Sequence, residues 1–363
     1  MFWKKDDSII DESTTAGKYL AYTYRKVIFL VSILILLFVM SIFTIRLGAT
    51  GLSYGDILHY LFNPDSSWNS TVIWNLRLPG IVGAILVGAA LGIAGAVMQS
   101  ILRNPLASPF TLGISNAAAF GASVGILLMG GGIVIGSVNA VIDVNDPFIV
   151  TLFAFIFAMV AMGVVIALVK LTECTPETIV LAGLAISSIF SAGLAFLQFI
   201  ADDVALSAIV YWQFGNLGKI GWDNLTTIAI VMVPTILYFL YKRWDYNAIE
   251  AGEDVASGLG VRVERTRMVG LTMAALLTAT VVSFVGIIGF IGLIGPHIVK
   301  RIIGNDNRFV LIGSMLIGAA VLLLAYIVGT YGFSTTIPVG IITSAIGGPL
   351  FIFILLKKWR KRR

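Results

Sequence analysis

Long apolar runs alternate with short polar segments along this chain, and the lengths of the runs set the first expectation. Residues 27–45 carry no charge over 19 positions. Arg77 and Arg103 bracket a second run, with Pro79 placed for the first turn of a helix. Further runs cover 110–130, 148–169, 179–200 and 225–241, then 268–299, 309–328 and 339–356. About 20 apolar residues in a helix cross the hydrocarbon core of a bilayer, so most of these runs predict one crossing each. The exception is 268–299, which has 32 residues without Asp, Glu, Lys or Arg. As one helix it would be roughly 48 Å long, too long for one crossing and short for two.

Polar punctuation separates the runs. Asn63-Pro64-Asp65 marks a turn, Asn104-Pro105 and Ser108-Pro109 break the chain, and a glycine-rich loop leads to Asp143 and Asp146. Asp202 and Asp203 open a loop whose Tyr211, Trp212 and Trp222 suit a headgroup-level aromatic belt. Within the second run, Gly88, Gly92 and Gly95 put small residues near one face, where another helix can approach.

Charge decides how often 268–299 crosses. With one crossing the tail Lys357-Lys358-Trp359-Arg360-Lys361-Arg362-Arg363 ends outside; with two, broken near Gly286 to Gly292, it ends inside. Basic loops favour the cytosolic side, which selects two crossings. The expectation is an all-α membrane protein with ten transmembrane helices and both termini cytosolic. It has a cytosolic tail at 1–26, a ten-span membrane domain at 27–356 with a cytosolic segment at 250–267, and a basic cytosolic tail at 357–363. In this arrangement 21 of the 24 Lys and Arg residues lie in cytosolic segments, leaving Arg46, Arg77 and Lys219 outside. The first run lacks the short core and small-residue cleavage site of a signal peptide, so a multi-pass protein of the cell membrane is expected.

Composition agrees. The chain is 58% hydrophobic and 12% charged, with a mean hydropathy of +0.98, against about 25% charged residues in soluble domains. The net charge of +5 comes from residues flanking apolar runs and does not point to nucleic acid. A single Cys174 excludes an internal disulfide and any multi-cysteine site.

Candidate chemistry is sparse. No run has an acidic residue at its centre, as gradient-coupled carriers usually do. No GxxxxGK[ST] phosphate loop and no HExxH occurs, and His59 and His297 lie far apart. Gly113-Ile114-Ser115 resembles the start of an intramembrane serine protease motif, but a chain this rich in glycine and serine produces such a match by chance. No catalytic residue, metal-ligand set or directly bound cofactor is predicted. The densely charged stretch is 250–267, EAGEDVASGLGVRVERTR, which is either an ordinary solvated loop or a handle for a partner. Gly252, Ala256 and Gly260 recur every fourth position, so a short helix would show a small-residue face with Leu259 as an apolar anchor beside it.

Several linked motifs carry a resemblance from Arg77 to Leu356. They are Arg77-Leu78-Pro79 with VGAALGIAGAVMQ at 87–99, RNPLASP at 103–109, LGIS at 112–115, GEDVASGLGV at 252–261, GFIGLIGPHIVKR at 289–301 and PVGIITSAIGGP at 338–349. In this order and spacing the chain resembles the FecCD-like permeases of type II ABC importers, which take up iron complexes and cobalamin. The resemblance implies a homodimer, or in some systems a heterodimer, around a central path. Two cytosolic ATPase subunits holding ATP and Mg would drive it, and an extracytoplasmic binding protein would deliver the substrate.

The resemblance also implies residue roles. Gly252, Glu253, Ala256, Leu259 and Gly260 would contact the ATPase, and a bulky residue at Ala256 or Gly260 would uncouple hydrolysis from transport with the fold intact. Arg77 would dock the binding protein, or serve as an interfacial anchor. Gln99, Asn116, Ser187, Ser188, Ser191 and Gln198 are candidates for the path, each also explicable as a helix–helix hydrogen bond. Thr175 and Thr178 are candidates for the inner gate, and His297 fits a structural or coupling role better than a metal ligand. The chain departs from the family pattern at Gly80, where a second arginine is common. Tyr326 and Thr330 lie where an Asp and an Arg are common, and Thr336 where a Glu is common. Docking is therefore expected to be less electrostatic or to use a different patch. Two other readings remain: a gradient-driven secondary transporter, and the same architecture carrying free metal ions. Siderophore, haem and cobalamin are not distinguished.

Overall fold

The computed structural model describes residues 15–48, 51–128, 132–135, 141–144, 147–172 and 174–360. Helices lie over all nine apolar runs, two of them over 268–299. In chain order these are α1 (Thr15–Arg46), then the short α2 (Tyr54–Phe62) and α3 (Trp68–Thr71), a π-helical turn (Val72–Arg77) and α4 (Leu78–Ile101). There follow α5 (Ile114–Leu128), strands β1 (Gly132–Ile135) and β2 (Val141–Val144), α6 (Pro147–Leu171), α7 (Pro176–Ile200), α8 (Asp203–Gln213) and α9 (Trp222–Tyr241). The chain ends with α10 (Arg243–Ala251), α11 (Glu253–Gly258), α12 (Val263–Val285), α13 (Ile291–Ile303), α14 (Asn307–Tyr331) and α15 (Val339–Arg360). Among the described residues seven helices are both long and apolar enough to cross a membrane by themselves.

The uncharged stretch at 268–299 breaks within the predicted interval. α12 stops at Val285, Gly286 takes φ +75°, and Phe290 enters α13 from the left-handed region at φ +67°. At about 1.5 Å per residue α12 is roughly 35 Å long and α13 only roughly 20 Å. One full limb and one short limb account for a length that fitted neither one crossing nor two.

α4 is the hub of the fold. It is buried along almost its whole length and packs against α14, α13, α12 and α9. Its glycines explain how. A β-carbon on Gly88 or Gly92 would collide with the backbone of Gly318 or Ser314 in α14, and one on Gly95 with Gly292 in α13. Backbones approach this closely only where side chains are absent, and dispersion between the closely packed chains then holds the helices together.

Three segments outside the apolar runs carry structure. α2 begins with a capping box in which the Ser53 hydroxyl accepts from the Asp56 N–H at 3.2 Å while the Asp56 carboxylate accepts from the Ser53 N–H at 3.0 Å. α8 begins where the Asp202 carboxylate accepts from the Ala205 N–H at 2.7 Å. β1 and β2 pair as a short antiparallel hairpin beside α8, inside the loop read from its glycines as irregular.

Candidate functional site

The stretch 243–262 folds into an elbow of two short helices between α9 and α12. At Gly252, φ +141° turns the chain from α10 into α11, and at Gly260, φ +82° turns it again toward α12. Both angles lie where side-chain-bearing residues are strained. Ala256 is fully buried among Ala248, Ile249, Val261 and Val263. The opposite face is open, with Val255 exposed and Leu259 71% exposed.

This corrects the expected geometry. α11 spans only 253–258, so Gly252 and Gly260 are bends flanking the helix, and Ala256 packs inward on the elbow itself. Ala256 alone closes the elbow, and the exposed surface runs over Asp254, Val255, Ser257, Gly258, Leu259 and Gly260. A bulky residue at Ala256 or Gly260 would distort the fold. Gly258, with open space around its α-carbon, is where bulk can be added.

The inner side of the elbow is tied to the helices by partly and fully buried polar groups. Glu250 of α10 pairs with Lys300 of α13 at 2.7 Å. Asn247 accepts from the Asn307 N–H at 2.7 Å and donates to Asp306 at 3.2 Å, and Asn307 accepts from the Ser100 hydroxyl of α4 at 2.9 Å. Asp306 caps α14 and sits 3.6 Å from the buried Lys26 of α1. Burial pushes the Asp306 carboxyl up, but hydrogen bonds from Arg308 and Asn247 outweigh it and hold the group at about 2.

The third tie is Arg267, at the end of the charged stretch and only 1% exposed. Its Nε donates to the Ile101 carbonyl of α4 at 3.0 Å, Nη1 to the Cys174 carbonyl at 2.5 Å, and Nη2 to Glu253 Oε1 of α11 at 2.5 Å. The planar guanidinium fork suits this three-way grip. Sequence reasoning counted Arg267 with the solvated charges. Its neighbours Arg262 and Arg265 are exposed as expected. At about 100° per residue, two positions carry 267 to the opposite face of α12 from 265, which was the available signal.

The other candidates fall into place separately. Thr175 is the N-cap of α7: its hydroxyl accepts from the Thr178 N–H at 3.2 Å and lies 2.9 Å from the Thr178 hydroxyl. This pair is a helix cap, one residue beyond the Cys174 carbonyl that Arg267 holds. Burial pushes the Cys174 thiol pKa up, opposed by the Arg267 guanidinium. Asn116 of α5 donates to the Ser187 hydroxyl of α7 at 2.8 Å, a helix–helix bond. Ser188 and Ser191 lie on an exposed, otherwise apolar stripe of α7 with Leu181 and Leu184, and Gln198 is partly buried further along. Gln99 lies elsewhere, at a cleft of about 460 Å³ that Arg103, Glu250, His297, Lys300 and Arg301 also line.

Arg77 is buried, 5% exposed, and donates to the Ile45 carbonyl in the last turn of α1 at 2.6 Å. Its guanidinium is turned into the protein at the end of α1. Two departures prove to be one: a β-carbon on Gly80 would collide with the Tyr326 ring. Tyr326 fills the space that a side chain at 80 would need.

Long apolar helices around a glycine-lined hub, with an exposed elbow wired to the core, define a multi-pass membrane permease. The chain belongs to the FecCD transport family, whose sequence profile matches residues 33–357. It is an ABC-transporter permease subunit of the cell membrane. A protein of Methanocaldococcus jannaschii named as an ABC transporter permease, MJ0087, is 47% identical over 346 residues, covering 95% of this chain and 98% of that one. The hemin transport system permease protein HmuU of Yersinia pestis is 32% identical, covering 91% of this chain and 96% of that one. Other relatives are named vitamin B12 and Fe(3+)-citrate import system permease proteins. A solved inward-facing metal-chelate type ABC transporter superposes with a TM-score of 0.79 at 27% identity, covering 90% of this chain and 98% of that one.

Proposed function

We propose that this chain is the transmembrane subunit of an ATP-driven importer for a metal chelate, an iron complex (haem, ferric citrate or another siderophore) or cobalamin. Relatives named for hemin, vitamin B12 and ferric citrate support the cargo class. Two copies enclose the path, and the exposed stripe of α7 with Ser188 and Ser191 faces it. An extracytoplasmic binding protein delivers the cargo, and two cytosolic ATPase subunits, which hold ATP and Mg, supply the energy. Both termini and the elbow lie in the cytosol.

The observation that carries this reading is the two-sidedness of the elbow. Its outer face offers an apolar knob, Leu259, and its inner face is bonded to α13 and the start of α14 and, through Arg267 of α12, to α4 and the turn before α7. A partner closing on the knob therefore displaces helices. Nucleotide-driven rocking between two packed arrangements follows, as in alternating access.

The test is to purify the tagged chain with its associated ATPase from native membranes and reconstitute it in proteoliposomes. Uptake of radiolabelled haem, ferric citrate and cobalamin is then compared with and without ATP. ATP-dependent uptake of one of them, abolished by Leu259→Asp, is expected. Uptake that ignores ATP and collapses with a protonophore would overturn the proposal in favour of a gradient-driven carrier.

A further inference from the structure

Arg267 is the residue whose arrangement exceeds what holding a fold requires. Its three nitrogens each bond a different segment: the end of α4, the turn before α7, and the elbow. Two of the acceptors are backbone carbonyls, so they report the positions of the main chain itself. The third is the carboxylate of Glu253, whose side chain is 44% exposed. One end of the linkage is thus fully packed while the other reaches the surface beside Leu259. Thr175 and Thr178, which cap α7, follow directly after the carbonyl that Arg267 grips.

We infer that Arg267 is a positioning residue that transmits movement of the elbow to the first turn of α7, and through it to the inner mouth of the path. The inference rests on the importer reading above and adds its moving part. Displacement of α11 carries Glu253, and Glu253 pulls the guanidinium. The rigid fork moves the Cys174 carbonyl, and with it the cap of α7, relative to the end of α4. Lysine cannot substitute, because one ammonium at the end of a flexible stem does not hold three acceptors in a plane. Charge alone is not enough; the linkage needs the fork.

The chain supplies its own reporter. Cys174 is its single cysteine and is partly buried at this junction. The importer, reconstituted with its ATPase subunits, is labelled with a fluorescent maleimide, first without nucleotide and then with ATP and orthovanadate. Labelling is read on the band of this chain alone. In the wild type the Cys174 labelling rate is expected to differ by about threefold or more between the two states, because the thiol's exposure changes with the turn. Glu253→Gln, which keeps a hydrogen bond, retains most of that difference. Arg267→Lys and Glu253→Ala lose it, and cargo moved per ATP falls by about tenfold, a coupling loss of the usual allosteric size.

Glu253→Ala guards against a folding defect, since it cuts only the half-exposed arm and leaves both carbonyl bonds of Arg267. Normal nucleotide dependence of labelling in a folded Arg267→Lys or Glu253→Ala variant would falsify the inference. So would a wild type that hydrolyses ATP and transports with no change at Cys174. A wild type that recruits no ATPase removes the importer reading itself, and the inference falls with it.

Discussion

Two buried arginines bracket α4, and the comparison between them separates anchoring from transmission. Arg77 precedes its first residue and Arg267 bonds its last carbonyl. Both donate to a carbonyl in the final turn of a helix, Ile45 in α1 and Ile101 in α4, where the backbone dipole favours a cation. Beyond that the two diverge. The surroundings of Arg77 are Gly48, Tyr331 and the end of α1, all within the same closed end of the bundle. Arg267 continues to a carboxylate that reaches the surface on a separate, bent element. The same chemistry closes the fold at one end and connects it to the outside at the other. What distinguishes Arg267 is that its linkage reaches a carboxylate 44% exposed on a separate element.

The comparison can be broken or sharpened by experiment. The largest effect is expected from Arg267→Met. It strips two carbonyls of their donor and should destabilise the protein by about 2–4 kcal/mol, with ATP-coupled uptake per folded molecule lost. Arg77→Met should cost about 1–3 kcal/mol yet keep uptake per folded molecule within about twofold. Thermal unfolding in detergent, with uptake normalised to the folded fraction, measures both. Equal losses of uptake would erase the distinction.

Next comes the elbow surface. Leu259→Asp should abolish ATPase recruitment while shifting stability by less than about 0.5 kcal/mol, as exposed substitutions do. Ala256→Leu should instead overpack the inner face by about 1–3 kcal/mol, whereas Gly258→Leu should leave stability unchanged and weaken recruitment. Denaturation midpoints and co-purified ATPase report the two effects independently.

The smallest effect concerns Asp306, on the second of the elbow's ties. Its folded-state pKa is depressed to about 2, so its contribution is fully present above the ordinary carboxylate value near 3.8. That contribution is lost as pH falls through about 2. Asp306→Asn should flatten the acid limb of the stability–pH curve in that window while leaving the curve near neutrality parallel to the wild type.

Much of the fold was legible because lipid imposes a length. The apolar runs and the break near Gly286 follow from counting residues against a bilayer and placing the positive charges, and the small-residue face of α4 from the spacing of its glycines. The site was legible only in location. A small residue at every fourth position of 252–260 says that something packs closely there, but not whether it is a partner or, as for Ala256, the chain itself. Charge density marked 250–267 as solvated, yet pattern alone does not reveal a charge such as Arg267 satisfied by carbonyls from 93 and 166 residues away. The same holds for Arg77, whose partner Ile45 belongs to another helix. Gly80 and Tyr326 read as two unrelated departures until their contact joined them.

The glycines of α4 carry a consequence for how this protein tolerates change. Every missense neighbour of a glycine codon adds at least a β-carbon, and at Gly88, Gly92 and Gly95 that atom meets main chain, which has no rotamer to yield. These codons therefore have no conservative way to mutate. A saturation scan of the gene should find its least forgiving positions along this buried seam, away from the exposed elbow.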